Sequence, residues 1–314
     1  MNNFQHLHRH STFSLLDGLG LPEQAAQRAK ELGFTHLGIT DHATAEGLIK
    51  HQKACEKYGI NPIMGVEFYV VPEPDKKEKG EQRGHLTAWI KNEIGHQNVL
   101  KMLTLANLNY FYHRPRIGFE TLLSHCEGLC VGTACSASFL HLEGGISFFE
   151  ALHEKMGEDL YLEVMPFNYE EQIETNNLCL DLSEKYGVKI IGSNDAHYIF
   201  ADDYETHDIL LACQTKKKLN DPDRWRFGCD GLYLCEPDFM VSRFKEQGVL
   251  TDKEIFDALE NTLEIAKKCG DFRIQRKEVS LPMPPQFNGM DEVEVFKQLI
   301  MDGFKKRFEV EIEI

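Results

Sequence analysis

Hydrophobic and polar residues follow one pattern four times along this chain. An amphipathic helical stretch ends at a glycine, as in AAQRAKELG, IKHQKACEKYG, LLSHCEG and LCLDLSEKYG, and a short apolar run comes after it. Glycine is common just past a helix because it adopts the left-handed backbone conformation without a steric penalty. The apolar runs are rich in valine and isoleucine, which is typical of strands buried on both faces of a parallel sheet. The pattern therefore predicts an α/β fold built from βαβ units.

Apolar runs of this kind predict seven strands, near residues 5–10, 36–40, 63–70, 86–90, 129–133, 160–164 and 188–193. A residue capable of metal binding or acid–base chemistry ends or follows nearly every run. An open doubly wound sheet would collect such residues at one crevice. A β/α barrel collects them from the ends of many strands on one face, so we favour a barrel.

The pattern changes beyond about residue 220. WRFGCDGLYLCEPDFMVSRF predicts a short strand and a helix, and residues 251–269 predict a long helix with Thr251 as N-cap and Glu254 completing a capping box. LPMPPQFNG is a connector, because proline cannot continue a helix, and another helix is predicted over residues 291–308. The final EVEIEI alternates like a further strand. We expect a barrel domain over residues 1–275 and a connector with a helix over residues 276–314.

Composition and charge narrow the class of protein. Of the 314 residues, 42% are hydrophobic and 27% are charged, as in ordinary globular domains. No apolar run reaches roughly 18 residues, so no membrane span is expected, and a secretion signal is not expected. Nine scattered cysteines favour reduced thiols in the cytoplasm over a disulfide framework. A net charge of −16 argues against broad, stand-alone nucleic-acid binding, although bound metal ions would attract phosphate locally.

Side chains that bind metals gather at the predicted strand ends. In HLHRH the alternating residues His6, His8 and His10 share one face of a strand, and two of the three are expected to bind a metal ion. The alternation alone leaves open which two. Glu67 lies inside the apolar run GVEFY, where a buried carboxylate needs a cation or a hydrogen-bond donor. Further candidates, each weak on its own, are Asp17, Asp41, His42, His85, Cys135, Asp195 and His197.

Motifs of several other chemistries are missing. The chain has no GxxxxGK[ST], GxGxxG, GxSxG or HExxH, which disfavours P-loop nucleotide binding, dinucleotide binding and serine hydrolysis of the α/β type. Imidazoles and carboxylates with one thiol suit first-row divalent ions. The expected chemistry is hydrolysis assisted by such ions, which activate water and hold the oxygens of a phosphate.

Segments of the chain resemble, in order, one known family, the PHP domain (polymerase and histidinol phosphatase). They are HLHRHSTFSLLDG, GITDH, GVEFYV, HLTAWIKNEIGHQNVLKML, RPRI followed by GLCVGTAC, and GSNDAHY. HSTFSLLDG and KNEIGHQN look like the PHP branch at the N-terminus of bacterial DNA polymerase III α subunits, and RWRFGCDGLYLCEPDFMVSRF is also similar to that chain. The resemblance covers almost all of the sequence. It implies a distorted seven-stranded β/α barrel with extra C-terminal helices.

The resemblance also implies which residues bind metal. It selects His8 and His10 and leaves His6 outside the centre. One ion would be held by His8, His10, Glu67 and Asp195, a second by Glu67, His85 and Cys135, and a third by Asp17, His42 and His197. Imidazoles with one thiolate permit zinc, manganese or iron as the two or three divalent ions. Separately, Arg114 and Arg116 are candidates for contact with the substrate phosphate, and the alternative is that they are ordinary surface arginines.

A complete ligand set implies a metal-dependent phosphoesterase, acting as a 3′–5′ proofreading exonuclease on a DNA 3′ end during replication. The implied partners are the remaining polymerase domains, a sliding clamp and a separate exonuclease subunit. The aspartate motif of the polymerase, PDxDxDF, is not in this sequence. Residues 276–314 would therefore lead toward a polymerase palm that is absent, in a fragment or a split or viral version of the α subunit. Two alternatives stay open: a catalytically silent docking module and a free-standing small-molecule phosphatase.

Overall fold

The computed structural model describes residues 4–275, 284–287 and 289–308. The chain divides into two compact units, Met1–Ile274 and Gln275–Ile314. The first unit carries the sheet and all nine candidate ligands. No helix in the described ranges is long and apolar enough to cross a membrane. The strand predicted in EVEIEI lies outside the described residues, as does the LPM of the predicted connector.

Helices and strands alternate through the first unit. The strands are β1 (His36–Ile39), β2 (Asn61–Val71), β3 (Gly84–Ile90), β4 (Arg116–Gly118), β5 (Leu129–Gly132), β6 (Leu160–Val164) and β7 (Ile190–Gly192). The helices are α1 (Pro22–Glu31), α2 (Leu48–Tyr58), α3 (Glu93–Leu108), α4 (Phe119–His125), α5 (Gly145–Met156), α6 (Glu170–Tyr186), α7 (Tyr204–Thr215), α8 (Pro237–Gln247) and α9 (Asp252–Cys269). The second unit contains α10 (Glu292–Phe308). Gly33, Gly59, Gly128 and Gly187, which end the four repeated helical patterns, have φ angles between 71° and 79°, as predicted for residues just past a helix.

The seven strands form one curled sheet in the order β1-β2-β3-β5-β6-β7, with β4 paired to the C-terminal part of β2. This confirms the predicted barrel-like α/β class. The expectation of parallel strands throughout is wrong at β3, which runs antiparallel to both β2 and β5. The charged loop 72–83 between β2 and β3 contains no crossover helix, so the chain returns directly beside β2 as in a hairpin. The three-residue β4 was not predicted, because so short a run carries no recognisable alternation.

Residues 5–10 complete the curl without forming a regular strand. On one side, the Gly38 N–H donates to the His6 carbonyl at 2.7 Å, and on the other, the His10 N–H donates to the Ala196 carbonyl at 2.8 Å. The segment therefore lies between β1 and the chain that follows β7, which are the two edges of the sheet. The strand predicted here is interrupted because the buried Arg9 side chain donates to the Gly38 carbonyl at 3.0 Å. A continuous ladder would need that acceptor for a backbone N–H.

The segment predicted as a strand before α8 is also irregular. Within the described ranges, its one bridge joins Tyr198 and Tyr233. The N–H groups of His197 and Tyr198 both donate to the single carbonyl of Leu232, at 2.8 and 3.1 Å. Two donors that share one acceptor do not propagate a ladder. The helix predicted after this segment is confirmed as α8.

Helix α9 closes one end of the curled sheet. It begins with the predicted capping box, in which the Glu254 N–H donates to Thr251 Oγ1 at 3.3 Å. The helix contacts β2, β3 and β7, and a buried cluster lies beneath it. The cluster comprises Leu7, Ile63, Trp89, Cys130, Tyr161, Ile191, Ile265, Ala266 and Cys269. This apolar core occupies the end where the parallel strands begin, so polar side chains concentrate at the end where those strands finish.

Candidate metal centre

The nine candidate ligands meet at the end of the sheet opposite α9. His42 follows β1, Cys135 follows β5, and Asp195 and His197 follow β7. His85 lies near the start of β3, and it reaches the same end because this strand is antiparallel, opposite Tyr69 of β2. The others come from the N-terminal segment (His8 and His10), the loop before α1 (Asp17) and β2 itself (Glu67).

Glu67 is fully buried at the middle of this group. Its Oε1 lies 2.8 Å from His85 Nδ1 and 3.6 Å from His8 Nε2. Its Oε2 lies 2.8 Å from His42 Nδ1 and 3.1 Å from His10 Nε2. One carboxylate therefore faces four imidazoles, which is the arrangement expected of a ligand that bridges two cations.

Asp195 forms a second centre of contacts. Its Oδ1 lies 3.2 Å from His8 Nε2 and 3.0 Å from His10 Nε2, so Asp195 and Glu67 approach the same two imidazoles. His197 Nδ1 lies 2.7 Å from the Asp195 backbone carbonyl, which directs His197 Nε2 elsewhere. These contacts place Asp195, His8, His10 and Glu67 around one volume.

Asp17 and Cys135 lie on two sides of the centre. Asp17 Oδ2 is 3.1 Å from His42 Nε2, and Asp17 Oδ1 is 3.8 Å from His197 Nε2. Cys135 Sγ lies 3.4 Å from His85 Nδ1. All nine predicted side chains are thus brought together by elements far apart in the sequence.

Seven buried atoms of the centre make no well-directed hydrogen bond to any described residue. They are His8 Nε2, His10 Nε2, His42 Nδ1, Asp17 Oδ1, Asp195 Oδ1 and both carboxylate oxygens of Glu67. An unpaired buried polar atom costs roughly 1–3 kcal/mol, so several of them aimed at one volume call for a ligand. Three overlapping groups hold their ligand atoms within 4.8 Å of one another: His8, His10 and Glu67; Glu67, His85 and Cys135; and His10, His42 and His197. The residues present therefore fit metal ions.

The charges of the centre are strongly coupled. Burial disfavours the charged form of His8, but neighbouring carboxylates, with Asp195 foremost, raise the pKa of His8 well above its usual range. Burial likewise opposes ionisation of Glu67, and the surrounding imidazoles lower the pKa of this carboxyl well below its usual range. Without metal, protons on imidazoles balance the carboxylates, so metal binding would release protons.

Burial is the largest influence on the pKa values of His197 and Cys135, and it shifts them in opposite directions. Burial lowers the pKa of His197 to about 4, which keeps the ring neutral near pH 7, the form that binds metal. Burial, helped by the nearby carboxylates, raises the pKa of the Cys135 thiol well above its usual range. A bound cation would be needed to hold Cys135 as a thiolate.

A tenth buried side chain, Glu163 of β6, supports the centre and was not predicted. Its Oε2 lies 3.1 Å from His8 Nδ1 and accepts from Ser193 Oγ at 2.9 Å. Its Oε1 accepts from the Ala134 N–H at 3.0 Å and from the Thr87 hydroxyl. The signal that could have found it is a carboxylate inside the apolar run LYLEV, as with Glu67 in GVEFY.

Asp41 supports His10 in a similar way through a hydroxyl. His10 Nδ1 lies 2.9 Å from Ser14 Oγ, which donates to Asp41 Oδ1 at 2.8 Å. Asp41 also accepts from the backbone N–H of Ser11 at 2.7 Å. Because the Nδ1 atoms of His8 and His10 are occupied, their Nε2 atoms face the centre. Such outer contacts orient imidazoles in metal sites.

Backbone strain is concentrated at this centre. Among the described residues, six other than glycine have positive φ, and four of these lie at or beside candidate ligands: Leu16, Ala43, Ala134 and Asp195. Each such conformation costs of the order of 1–3 kcal/mol and persists only where surrounding contacts enforce it. The strain marks the loops that aim Asp17, His42, Cys135 and Asp195 inward.

Two residues singled out in the sequence have structural roles. Arg116 is 2% exposed, and its guanidinium donates to Glu81 and to the carbonyls of Pro74, Lys76 and Tyr110. The Arg116 guanidinium is thus occupied by acceptors of the chain itself, which favours Arg114 over Arg116 for the predicted contact with substrate phosphate. His6 turns away from the centre, with Nε2 2.9 Å from the Cys235 carbonyl. Arg114, in contrast, lines a cavity of about 680 Å³ together with Asp17, His42, His85, Cys135, Asp195 and His197.

Comparison with known proteins agrees with these features. The family model of the PHP domain matches residues 6–166. DNA polymerase III subunit alpha of Borreliella burgdorferi is 32% identical over 321 residues, covering 98% of this chain and 27% of that protein. The subunit alpha of Thermus aquaticus is 34% identical over 321 residues, covering 97% of this chain and 26% of that protein. The chain thus spans about a quarter of the length of these curated relatives.

Among solved structures, a candidate metal-dependent phosphoesterase from Bifidobacterium adolescentis aligns with a TM-score of 0.47 at 15% identity. The alignment covers 76% of this chain and 96% of that one. The PHP match extends over more than half of the sequence and includes seven of the nine candidate ligands, all except Asp195 and His197. The chain belongs to the PHP domain family.

Proposed function

We propose that this chain hydrolyses phosphodiester bonds with the help of bound divalent ions and acts as a 3′–5′ proofreading exonuclease on DNA. The observation that carries this proposal is the group of seven buried polar atoms that make no well-directed hydrogen bond and face one volume. A catalytically silent docking module has no use for atoms that each cost stability. The similarity of the chain to DNA polymerase subunits favours DNA, rather than a small phosphate ester, as the proposed substrate.

The proposed ligand sets are those that the resemblance to the PHP family implies, and the close grouping of most of these ligand atoms supports them. His8, His10, Glu67 and Asp195 would hold one ion, and Glu67 with His85 and Cys135 a second. Asp17, His42 and His197 would hold a third. Zinc, manganese and iron all suit imidazoles, carboxylates and one thiolate. When bound, such ions supply the Lewis acidity and the positive charge that favour attack of water on a phosphodiester.

The protein's own residues divide into a buried layer and an exposed rim. His8, His10 and Glu67 are fully buried, so they would hold ions without touching substrate. His42, His85 and His197 line the cavity, where they would lie beside the scissile phosphate. Arg114 on the same cavity would place a non-reacting phosphate oxygen, since a guanidinium offers paired donors to phosphate.

The proposed setting is DNA replication in the cytoplasm, because the curated relatives are polymerase subunits. Within that setting the partners would be a DNA 3′ end, the remaining polymerase domains, a sliding clamp and a separate exonuclease subunit. The chain spans only about a quarter of those relatives. Polymerisation itself would therefore belong to other domains.

Metal analysis followed by DNA digestion tests the proposal. Protein purified without chelator is analysed by elemental mass spectrometry, and we expect about two or three ions per chain. Single-stranded DNA labelled at its 5′ end should then shorten stepwise from its 3′ end. Asp195→Asn is the matched inactive variant, because asparagine tolerates the positive φ of 46° at this position.

The same assay separates the alternatives. Release of phosphate from a small monoester without digestion of DNA would favour a free-standing phosphatase. A fully loaded centre that hydrolyses neither substrate would favour a docking module. Either result would overturn the proposed exonuclease.

A further inference from the structure

One part of the cavity wall has no role in metal binding. The cavity volume of about 680 Å³ lies within the range of roughly 300–1,000 Å³ for sites that bind one small ligand. Beside the candidate ligands, its lining includes five aromatic residues, Trp225 and Phe227 among them, and three basic ones, Arg83, Arg114 and Arg226. This set offers flat apolar surface and positive charge next to a metal centre.

The aromatic residues connect an exposed surface to the centre. Trp225 lines the cavity with 52% of its surface exposed. Its ring lies edge-on to Phe227, with centroids 4.7 Å apart, and the Phe227 ring lies 4.8 Å from that of His197. A half-exposed indole leaves a large apolar face unburied. That face would be buried by a planar ring bound in the cavity.

The charges of the wall favour an anion. Apart from the candidate ligands, the charged residues that line the cavity are Arg83, Arg114, Arg226 and Glu171. Arg226 Nε lies 3.8 Å from Asp208 Oδ1, so Arg83 and Arg114 carry the positive charge of this wall against Glu171, although the chain as a whole carries −16. The Arg83 guanidinium lies 5.2 Å from the centre of the Tyr69 ring, which keeps it beside the cavity. Arginine matches phosphate through paired N–H donors.

We infer that this wall binds the terminal nucleotide of single-stranded DNA, with its base stacked on Trp225 and its phosphates near Arg83 and Arg114. The inference rests on the proposed function and specifies the form of the substrate. Stacking on an aromatic ring accepts every base, and a site that removes any nucleotide needs this tolerance. A cavity of small-ligand size has no room for a paired duplex end.

Tryptophan fluorescence gives a direct test of stacking. The chain has two tryptophans, and the other, Trp89, is fully buried and donates from Nε1 to the Leu7 carbonyl at 3.1 Å. Quenching by an added ligand therefore reports on Trp225. The probe is a short oligothymidylate with a phosphorothioate at its 3′-terminal linkage, added to the full chain as purified. Inorganic phosphate, which has no base, is the comparison ligand.

Three variants show whether the ring itself matters. Trp225→Ala should weaken oligothymidylate binding by roughly 5- to 160-fold, the usual effect of losing one base-stacking ring. Trp225→Phe should restore most of the affinity while removing the quenched signal. Phe256→Ala removes another aromatic ring, 56% exposed on α9, and should leave binding unchanged. Thermal melting confirms that each variant is folded.

The outcomes separate this inference from the proposed exonuclease. Quenching by oligothymidylate but not by phosphate, with weaker binding by Trp225→Ala, supports a nucleotide-binding wall even if no DNA is hydrolysed. If the Trp225→Ala variant binds oligothymidylate as tightly as the parent and still hydrolyses DNA, the inferred nucleotide-binding wall is wrong, whereas the proposed exonuclease is supported. Equal quenching by phosphate alone also overturns it, because no base would then be needed.

Discussion

His8 and Glu163 form a fully buried pair in which His8 Nδ1 lies 3.1 Å from Glu163 Oε2. The pairing occupies one ring nitrogen and leaves Nε2 facing Glu67 and Asp195 at 3.6 and 3.2 Å. Carboxylates that orient a ligating imidazole in this way fix its tautomer and increase its basicity. Glu163 would thus act on a bound ion through His8 rather than by touching it.

Glu163→Gln should weaken metal binding by about 10- to 100-fold, because the outer carboxylate no longer orients His8. Competition with a chromophoric chelator measures the affinity. Glu120→Gln, on the exposed side of α4, is the matched control and should bind metal like the parent. Unaltered affinity in Glu163→Gln would contradict the positioning role. Gly132→Ala tests the same role independently, because an alanine Cβ at this position would lie 2.4 Å from Glu163 Oε1 and would disturb the carboxylate.

His10→Ala and His6→Ala should have opposite effects, although both side chains are buried on one short segment. His10→Ala removes a ligand and should lower the metal content by about one ion. His6→Ala should keep the metal and lower the free energy of unfolding by roughly 1–3 kcal/mol, because the Cys235 carbonyl loses its partner. Elemental analysis and urea unfolding measure the two quantities. Loss of metal in His6→Ala would reverse the assignment.

Added metal should stabilise the folded chain. The ligands come from residues 8 to 197, so only the folded state brings them together. At a free ion concentration of about 100 times Kd, the free energy of unfolding should rise by about 2.7 kcal/mol. Thermal melting with zinc or manganese, against a chelated sample, measures this increase. If added metal stabilised the parent chain and an Asp195→Asn variant equally, that result would argue against binding at the centre.

His51 should make the stability depend on pH. The side chain is fully buried, donates from Nε2 to the Leu37 carbonyl at 2.9 Å, and has its pKa lowered to about 3 by burial and by Arg9. Between that value and the unfolded value of 6.5, the unfolded state binds more protons, so stability falls as pH falls. From about pH 7.5 to about pH 5, the loss from this group should be about 2 kcal/mol.

The variant His51→Gln isolates this contribution, because glutamine cannot titrate. Urea unfolding across the pH range should show a shallower loss of stability in the variant than in the parent. Parallel curves for the two proteins would show that His51 does not cause the dependence. The comparison cancels the effects of other titrating groups that the two proteins share.

Glu67 and Glu163 show how far the local sequence carries a prediction. Each is a carboxylate within an apolar run, GVEFY or LYLEV, so burial of either could be expected from its neighbours. The local sequence does not show which of them faces the imidazole Nε2 atoms and which supports an Nδ1 atom. His8 and Glu163 are 155 positions apart, and only packing brings them together.

The sequence by itself determined the alternation of helices and strands, the ends of the helices and the kinds of side chain at the strand ends. These features depend on hydrophobic periodicity and capping among residues a few positions apart. Tertiary structure decided that Arg9 interrupts the first predicted strand, that Arg116 binds Glu81 while Arg114 lines the cavity, and that Trp225 lies beside the centre. Those outcomes depend on which distant segments pack together, because a side chain's partners are set by the three-dimensional neighbours that compete for its donors and acceptors.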